Sequence, residues 1–110
     1  MKDQFDVWRF HFPDKGEHPV VLISHPDFCA RSAVINVLFC TSQRQSRKPR
    51  PYEVMLNSAD GLDWETFCDC SIMYAVKSDQ LFGRRGRVSL ERRRAIREKL
   101  RDLFRLQAAD

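Results

Sequence analysis

Three side chains with the chemistry to move a proton or hold an anion stand within or at the end of an apolar run: His18, Thr41 and Asp69. His18 precedes Pro19 in a Gly16-Glu17-His18-Pro19 corner at the entrance to such a run. An imidazole titrates near neutral pH and can pass a proton to or from a reacting oxygen. Taken alone, a surface turn histidine is the simpler account. Thr41 and Ser42 close the run from Ala33 to Cys40, where hydroxyls can bond a phosphate oxygen, although Thr and Ser also simply end strands. Asp69 sits between Cys68 and Cys70 inside an otherwise apolar segment. A carboxylate there lies at an edge, pairs with a cation or serves acid–base work, and an arginine partner is the commoner outcome. Nothing nearby points His11 or His25 at a common site.

Cations flank these residues. The segment Gln43 to Pro51 carries Arg44, Arg47, Lys48 and Arg50 with no acid, is stiffened by Pro49 and Pro51, and is followed by Tyr52. Such a loop can track phosphates while the tyrosine stacks on a base; a solvated charge run is the alternative. Between Arg84 and Arg105 ten basic residues face only Glu91, Glu98 and Asp102, although the whole chain carries only +4, so the remainder is acidic. A basic patch on an acidic body favours a polyanionic partner on one side. The helix arginines in this segment read mostly as a solvated face.

The elements that must position these groups are strands. Gln4 to Phe12 alternates, with Trp8, Phe10 and Phe12 on one side and Arg9 and His11 on the other. Phe12 to Gly16 is a turn. Pro19 to Ser24 is apolar on both faces and predicts a central strand, broken at His25-Pro26-Asp27-Phe28; Ala33 to Cys40 predicts another. Tyr52 to Asn57 resumes the alternation, Thr66 to Val76 follows, and Leu81 and Phe82 suggest a short last strand before Gly83. Ser89 caps a helix with Glu91 in its first turn, and Ile96, Leu100, Leu103, Phe104 and Gln107 form the stripe expected to pack inward. Four or five strands and one terminal helix, with no helix between the early strands, predict a mainly β (α+β) chain: a small, strongly curved antiparallel sheet or barrel with the helix along it.

Composition sets the outer bounds. A chain of 110 residues with 43% hydrophobic content is long enough for one core and one domain over 1–110. No apolar run approaches the roughly 20 residues of a membrane span, and the N-terminus lacks a signal-like apolar block, so a soluble cytoplasmic protein is expected. Cys29, Cys40, Cys68 and Cys70 are expected as free thiols in a reducing compartment, because Cys68-x-Cys70 lacks a second ligand pair for zinc; no metal or cofactor is expected.

The order of these segments resembles the MazF/PemK (Kid) toxin family of bacterial toxin–antitoxin systems across nearly the whole chain. Asp6-Val7-Trp8 resembles the family's opening Gly-Asp/Glu-hydrophobic-Trp strand, with Phe5 where Gly is usual. His18-Pro19-Val20-Val21-Leu22-Ile23-Ser24 resembles its Arg-Pro-x-Val-hydrophobic-Ser strand, and Ala33 to Ser42 the strand ending in Thr-Ser. Tyr52-Glu53-Val54-Met55-Leu56 resembles the next strand and Cys68-Asp69 the Cys-Asp-Gln segment. The resemblance implies an SH3-like barrel with a C-terminal helix, homodimeric and neutralised by a cognate antitoxin. It implies a growth-inhibiting endoribonuclease that cuts single-stranded RNA without metal, the ribose 2′-hydroxyl attacking its own phosphodiester. By position, Thr41 would contact the scissile phosphate and Asp69 would act in proton transfer. His18 replaces the family's phosphate-stabilising arginine, or stands for a histidine that some members carry in the preceding loop, and Phe67 replaces a cation that some members carry. Ser42, Arg44, Arg47, Lys48 and Arg50 would bind RNA. The alternative is a degenerate member that binds nucleic acid or a protein partner without cleavage.

Overall fold

The computed structural model describes residues 1–42 and 47–105. Six strands and two helices follow in the order β1 (Asp6–Phe12), β2 (Gly16–Leu22), α1 (Pro26–Arg31), β3 (Val34–Ser42), β4 (Glu53–Leu56), β5 (Thr66–Lys77), β6 (Phe82–Arg87) and α2 (Leu90–Phe104). The strands form one antiparallel sheet in the order β4-β5-β3-β2-β1-β6. Its two outer ends nearly meet: a Cβ on Gly61 would lie 2.4 Å from the Arg85 carbonyl oxygen, and one on Gly86 would lie 2.9 Å from the Asp60 carbonyl oxygen. The sheet is thus a curled half-barrel with α2 laid against β4 and β5, the mainly β architecture the sequence predicts.

Both faces of this sheet are apolar. One buries Val7, Val21, Leu38, Cys40, Val54, Leu56, Cys68 and Cys70 against Ile96 of α2. The other buries Phe10, Phe12, Val20, Leu22, Ile35, Val37 and Val76, with Trp8, Phe39 and Tyr74 packed against them. Two-sided burial explains why β2 reads as a continuous apolar run while β1 alternates. All four cysteines are free and buried. No helix of the described residues is long and apolar enough to cross a membrane.

Four details depart from the sequence-based expectation. There are six strands, because Phe82–Arg87 is a full strand despite two glycines and three arginines; its pairing with β1 supplies what its side chains do not. The break after β2 contains a short helix, α1, started by the His25 ring nitrogen accepting from the Asp27 amide. The inward stripe of α2 stops at Leu100: Leu103 and Phe104 are about 40% exposed, and Gln107 lies outside the described residues. Ser89 stands at the N-cap without a side-chain cap bond, its own amide being held instead by Asp60. Phe5, where the resembled family has glycine, takes φ 68, a left-handed conformation that costs a side-chain-bearing residue about 1–2 kcal/mol. Its ring is buried beneath the guanidinium groups of Arg93 and Arg97, at 5.9 and 5.7 Å.

Candidate active site

Strand alternation decides which of the candidate residues share a surface. Cys40, Cys68 and Cys70 point to the helix side, so Thr41, Phe67 and Asp69 point to the other. Thr41 and Phe67 are register partners, as are Asp69 and Glu53. Asp69 is therefore diagonal to Thr41 across the ladder, a relation that puts Cα atoms roughly 7–8 Å apart.

His18 joins the same face. It pairs with Phe10 and shares the side of Val20 and Phe39, and its ring centroid lies 4.6 Å from that of Phe39. The β2–β3 ladder stops at Val20–Phe39, and beyond it the His18 side chain bridges the strands: Nδ1 is 3.1 Å from the Cys40 carbonyl oxygen and Nε2 is 3.0 Å from that of Lys15. Carbonyls only accept, so both contacts are hydrogen bonds at once only when both ring nitrogens carry protons. The ring is thereby fixed one residue from Thr41.

A bulge places Asp69. Leu38 pairs with Met73 but Cys40 pairs with Cys68, so β5 spends five residues where β3 spends two. Within it Asp69 Oδ1 accepts from the Ser71 amide at 2.8 Å and from the Ser71 hydroxyl, and Cys70 donates its amide to the Tyr52 carbonyl at 2.9 Å. Bulges re-aim side chains in this way beside functional sites. The expected arginine partner of Asp69 does not form among the described residues; Ser71 takes that role. The other Asp69 oxygen, Oδ2, has no protein hydrogen bond among the described residues.

Arg47 brings a cation to this face. Its guanidinium carbon lies 4.1 Å from the centroid of Phe67, the register partner of Thr41. It donates a fork to Glu53, Nη1 to Oε1 at 2.8 Å and Nη2 to Oε2 at 3.0 Å, and Glu53 also accepts the Arg50 amide at 2.8 Å. The fork from Arg47 holds the Glu53 carboxyl below its ordinary range and raises the arginine further. Arg47 is therefore less free than an RNA-tracking loop residue was expected to be. Lys48 and Arg50 are exposed, and Arg44 lies outside the described residues.

Ser42 behaves differently from Thr41. It faces the helix side, its hydroxyl 3.5 Å from that of Thr66, and it lines a hollow of about 340 Å³ with Arg9, Glu17, Pro19, Trp64 and Arg85. Local sequence could not single out Glu53 or this hollow, because their lining residues come together only through the sheet. The described residues hold no cluster of three or more His, Cys, Asp or Glu side chains able to bind a metal.

A curled antiparallel half-barrel carrying an imidazole, a hydroxyl and a carboxylate on one face, with a C-terminal helix against the other, defines the class. The model of the PemK-like, MazF-like toxin family of type II toxin–antitoxin systems matches residues 3–104, and the chain belongs to that family. Solved structures agree in fold. An endoribonuclease in complex with its cognate antitoxin from a Mycobacterial species superposes with a TM-score of 0.82 at 18% identity, over 97% of this chain and 98% of that one. The Mycobacterium tuberculosis toxin MazF-mt6 gives 0.79 at 15% identity, over 93% and 98%. MazE-MazF (Form-II) from Deinococcus radiodurans gives 0.73 at 17% identity, over 93% of each chain. No curated protein sequence matches the chain.

Proposed function

We propose that this chain is the toxin of a type II toxin–antitoxin pair and cuts single-stranded RNA by attack of a ribose 2′-hydroxyl on the adjacent phosphodiester. The observation that carries the reading is the shared face: His18, Thr41 and Asp69 on one side of the sheet, around the β5 bulge and beside the Arg47 guanidinium. Family membership and neighbours that include endoribonuclease and antitoxin complexes support the same class.

In this mechanism Asp69 takes the 2′-hydroxyl proton and the 2′-oxygen bonds to phosphorus. The phosphorus–O5′ bond then breaks, and His18, protonated, releases its exposed Nε2 bond to the Lys15 carbonyl and gives that proton to the leaving oxygen. The products are a 2′,3′-cyclic phosphate and a 5′-hydroxyl. The Thr41 hydroxyl donates to a non-bridging phosphate oxygen. Arg47 shares its fork between Glu53 and the developing charge, the electrostatic role a guanidinium fills best. Lys48, Arg50 and Arg44 would guide the flanking phosphates, while Ser42, expected beside them, faces the other side of the sheet. General acid–base action of this kind is worth typically 10²–10⁴-fold per group. The reaction needs no metal in this scheme, and the protein would act in the cytoplasm. Exposed Phe28, Val34, Ile72 and Met73 offer apolar surface for a second copy or the antitoxin.

The test is long single-stranded RNA incubated with purified protein in EDTA. Cyclic-phosphate ends that fall at least about a hundredfold in Asp69→Asn and in His18→Ala are expected. Intact RNA, or cleavage indifferent to both changes, would remove the mechanism. A second reading, RNA binding without cleavage, draws on the two carbonyl contacts of His18 and the Glu53 fork on Arg47, which hold both groups in place. It predicts salt-sensitive binding and no products.

A further inference from the structure

The mouth of the half-barrel, opposite the face just described, gathers groups that the cleavage chemistry does not use. Arg9 of β1, Glu17 and Pro19 of β2, Ser42 at the end of β3, Trp64 ahead of β5 and Arg85 of β6 line its hollow of about 340 Å³. Mouths of β-barrels are common ligand sites, and this one is roomy enough for a single nucleobase.

Its polar groups have bonding capacity to spare. Arg9 Nη1 and Glu17 Oε2 are 3.9 Å apart, beyond hydrogen-bond reach, so neither satisfies the other. Arg9 Nε is buried against Gly83 and has no hydrogen-bond partner among the described residues, so it is the Nη groups that can reach a ligand. Its guanidinium is held in place by Gly83, whose missing Cβ would meet Nε at 2.8 Å, and by the Phe82 ring at 5.9 Å. Arg85 is anchored by Asp63 at 2.7 Å. Trp64, by contrast, leaves 60% of its surface in solvent, an unusual outlay for an indole that packs nothing outside it.

We infer that this hollow takes a guanine base of single-stranded RNA, stacked on Trp64 and read along its edge by Glu17 and Arg9. Guanine alone among the RNA bases sets two adjacent donors, N1–H and N2–H, beside two adjacent acceptors, O6 and N7. A carboxylate accepts the first pair and a guanidinium donates to the second, the bidentate geometry in which arginine reads guanine. Adenine and cytosine offer the carboxylate an amino group but not the paired donors, and uracil offers one donor between two acceptors. Ser42 adjoins Thr41 on β3, and the β2–β3 ladder is open at this end. A strand that passes Thr41 on one face therefore reaches the hollow by rounding that end of the sheet, past the His18 bridge. The biological meaning, choice of the cut site, rests on the RNA-cleaving reading above; the binding itself does not.

Calorimetric titration with GMP, AMP, CMP and UMP tests it, together with uridine hexanucleotides that carry or lack a single guanosine. GMP is expected to bind at least about tenfold more tightly than the other three, and the guanosine-bearing hexanucleotide to show the same preference. Glu17→Gln should bring GMP down to the level of AMP, Trp64→Ala should weaken it about tenfold, and Trp64→Phe should restore it. Equal affinity for the four nucleotides, or no saturable binding, overturns the inference. So does GMP binding with no preference among hexanucleotides, which would make the hollow a free-nucleotide site. Failure of RNA cleavage with the guanine preference intact would instead strike the proposed function alone.

Discussion

Asp60 joins the two ends of the sheet to the C-terminal helix, and its replacement should be the most damaging polar change in the protein. The side chain is fully buried. Oδ1 accepts the Ser89 amide at 2.8 Å, and Oδ2 accepts the Asn57 amide at 2.9 Å and Arg92 Nη1 at 3.1 Å. Asp60→Ala strands two backbone N–H groups at about 1–3 kcal/mol each. It also leaves Arg92, only 23% exposed, facing a void. The expected loss is about 3–5 kcal/mol, a large share of the roughly 5–15 kcal/mol that holds a domain of this size. Such a loss corresponds to a fall in Tm of about 10–20 °C. Asp60→Asn keeps one acceptor oxygen and should cost about half as much. Urea unfolding followed by far-UV circular dichroism gives both values, and a cycle with Arg92→Ala isolates the ion pair. A loss under about 1 kcal/mol in Asp60→Ala, with unchanged m, would refute the claim that this carboxylate fastens α2 to the barrel.

Other outcomes follow from single contacts. Gly61→Ala should destabilise far more than Gly16→Ala, because both sites have positive φ but only at Gly61 would the new methyl meet backbone, at 2.4 Å; equal unfolding midpoints would contradict this. The Glu53 carboxyl is held below its ordinary range by the Arg47 fork, so its contribution is present above that range and is lost as pH falls through the lower folded value. Glu53→Gln should therefore flatten the acid limb of a stability–pH curve, and an unaltered limb would show the fork to be idle. Burial pushes the Cys29 thiol up to about 11; the hydrogen bond with Cys40 and then burial raise the Cys68 thiol, and the hydrogen bond with Cys68 and then burial raise that of Cys70. Native protein at pH 8 should then react with a thiol reagent only on unfolding, whereas rapid labelling of the folded chain would contradict that packing.

Much of this architecture was legible because its signals are local. The two-residue alternation of β1 and the two-sided apolar run of β2 read directly as strands, the second of them central, and Thr41 and Asp69 were visible as polar residues in apolar runs. β6 was almost invisible: Gly83, Gly86 and its arginines have little strand character, and backbone pairing to β1 alone specifies it. The helix stripe was overread at Leu103 and Phe104, since helical spacing shows which side chains share a face but not how far the sheet beneath extends. The bulge that sets Asp69, the fork from Arg47 to Glu53 and the Arg9–Glu17–Trp64 mouth are encounters between distant segments, and none leaves a mark in local spacing.

The central claim is that an imidazole, a hydroxyl and a carboxylate on one face of the sheet work on a single phosphodiester. The direct measurement is single-turnover cleavage of a single-stranded RNA in EDTA by the unaltered chain and by Thr41→Val, His18→Ala and Asp69→Asn, singly and combined. The account predicts 2′,3′-cyclic phosphate ends, a loss of about 10²–10⁴-fold for His18→Ala and Asp69→Asn, and combined losses well short of the product of the single ones. Cleavage that survives all three changes, or losses that multiply independently, would contradict it.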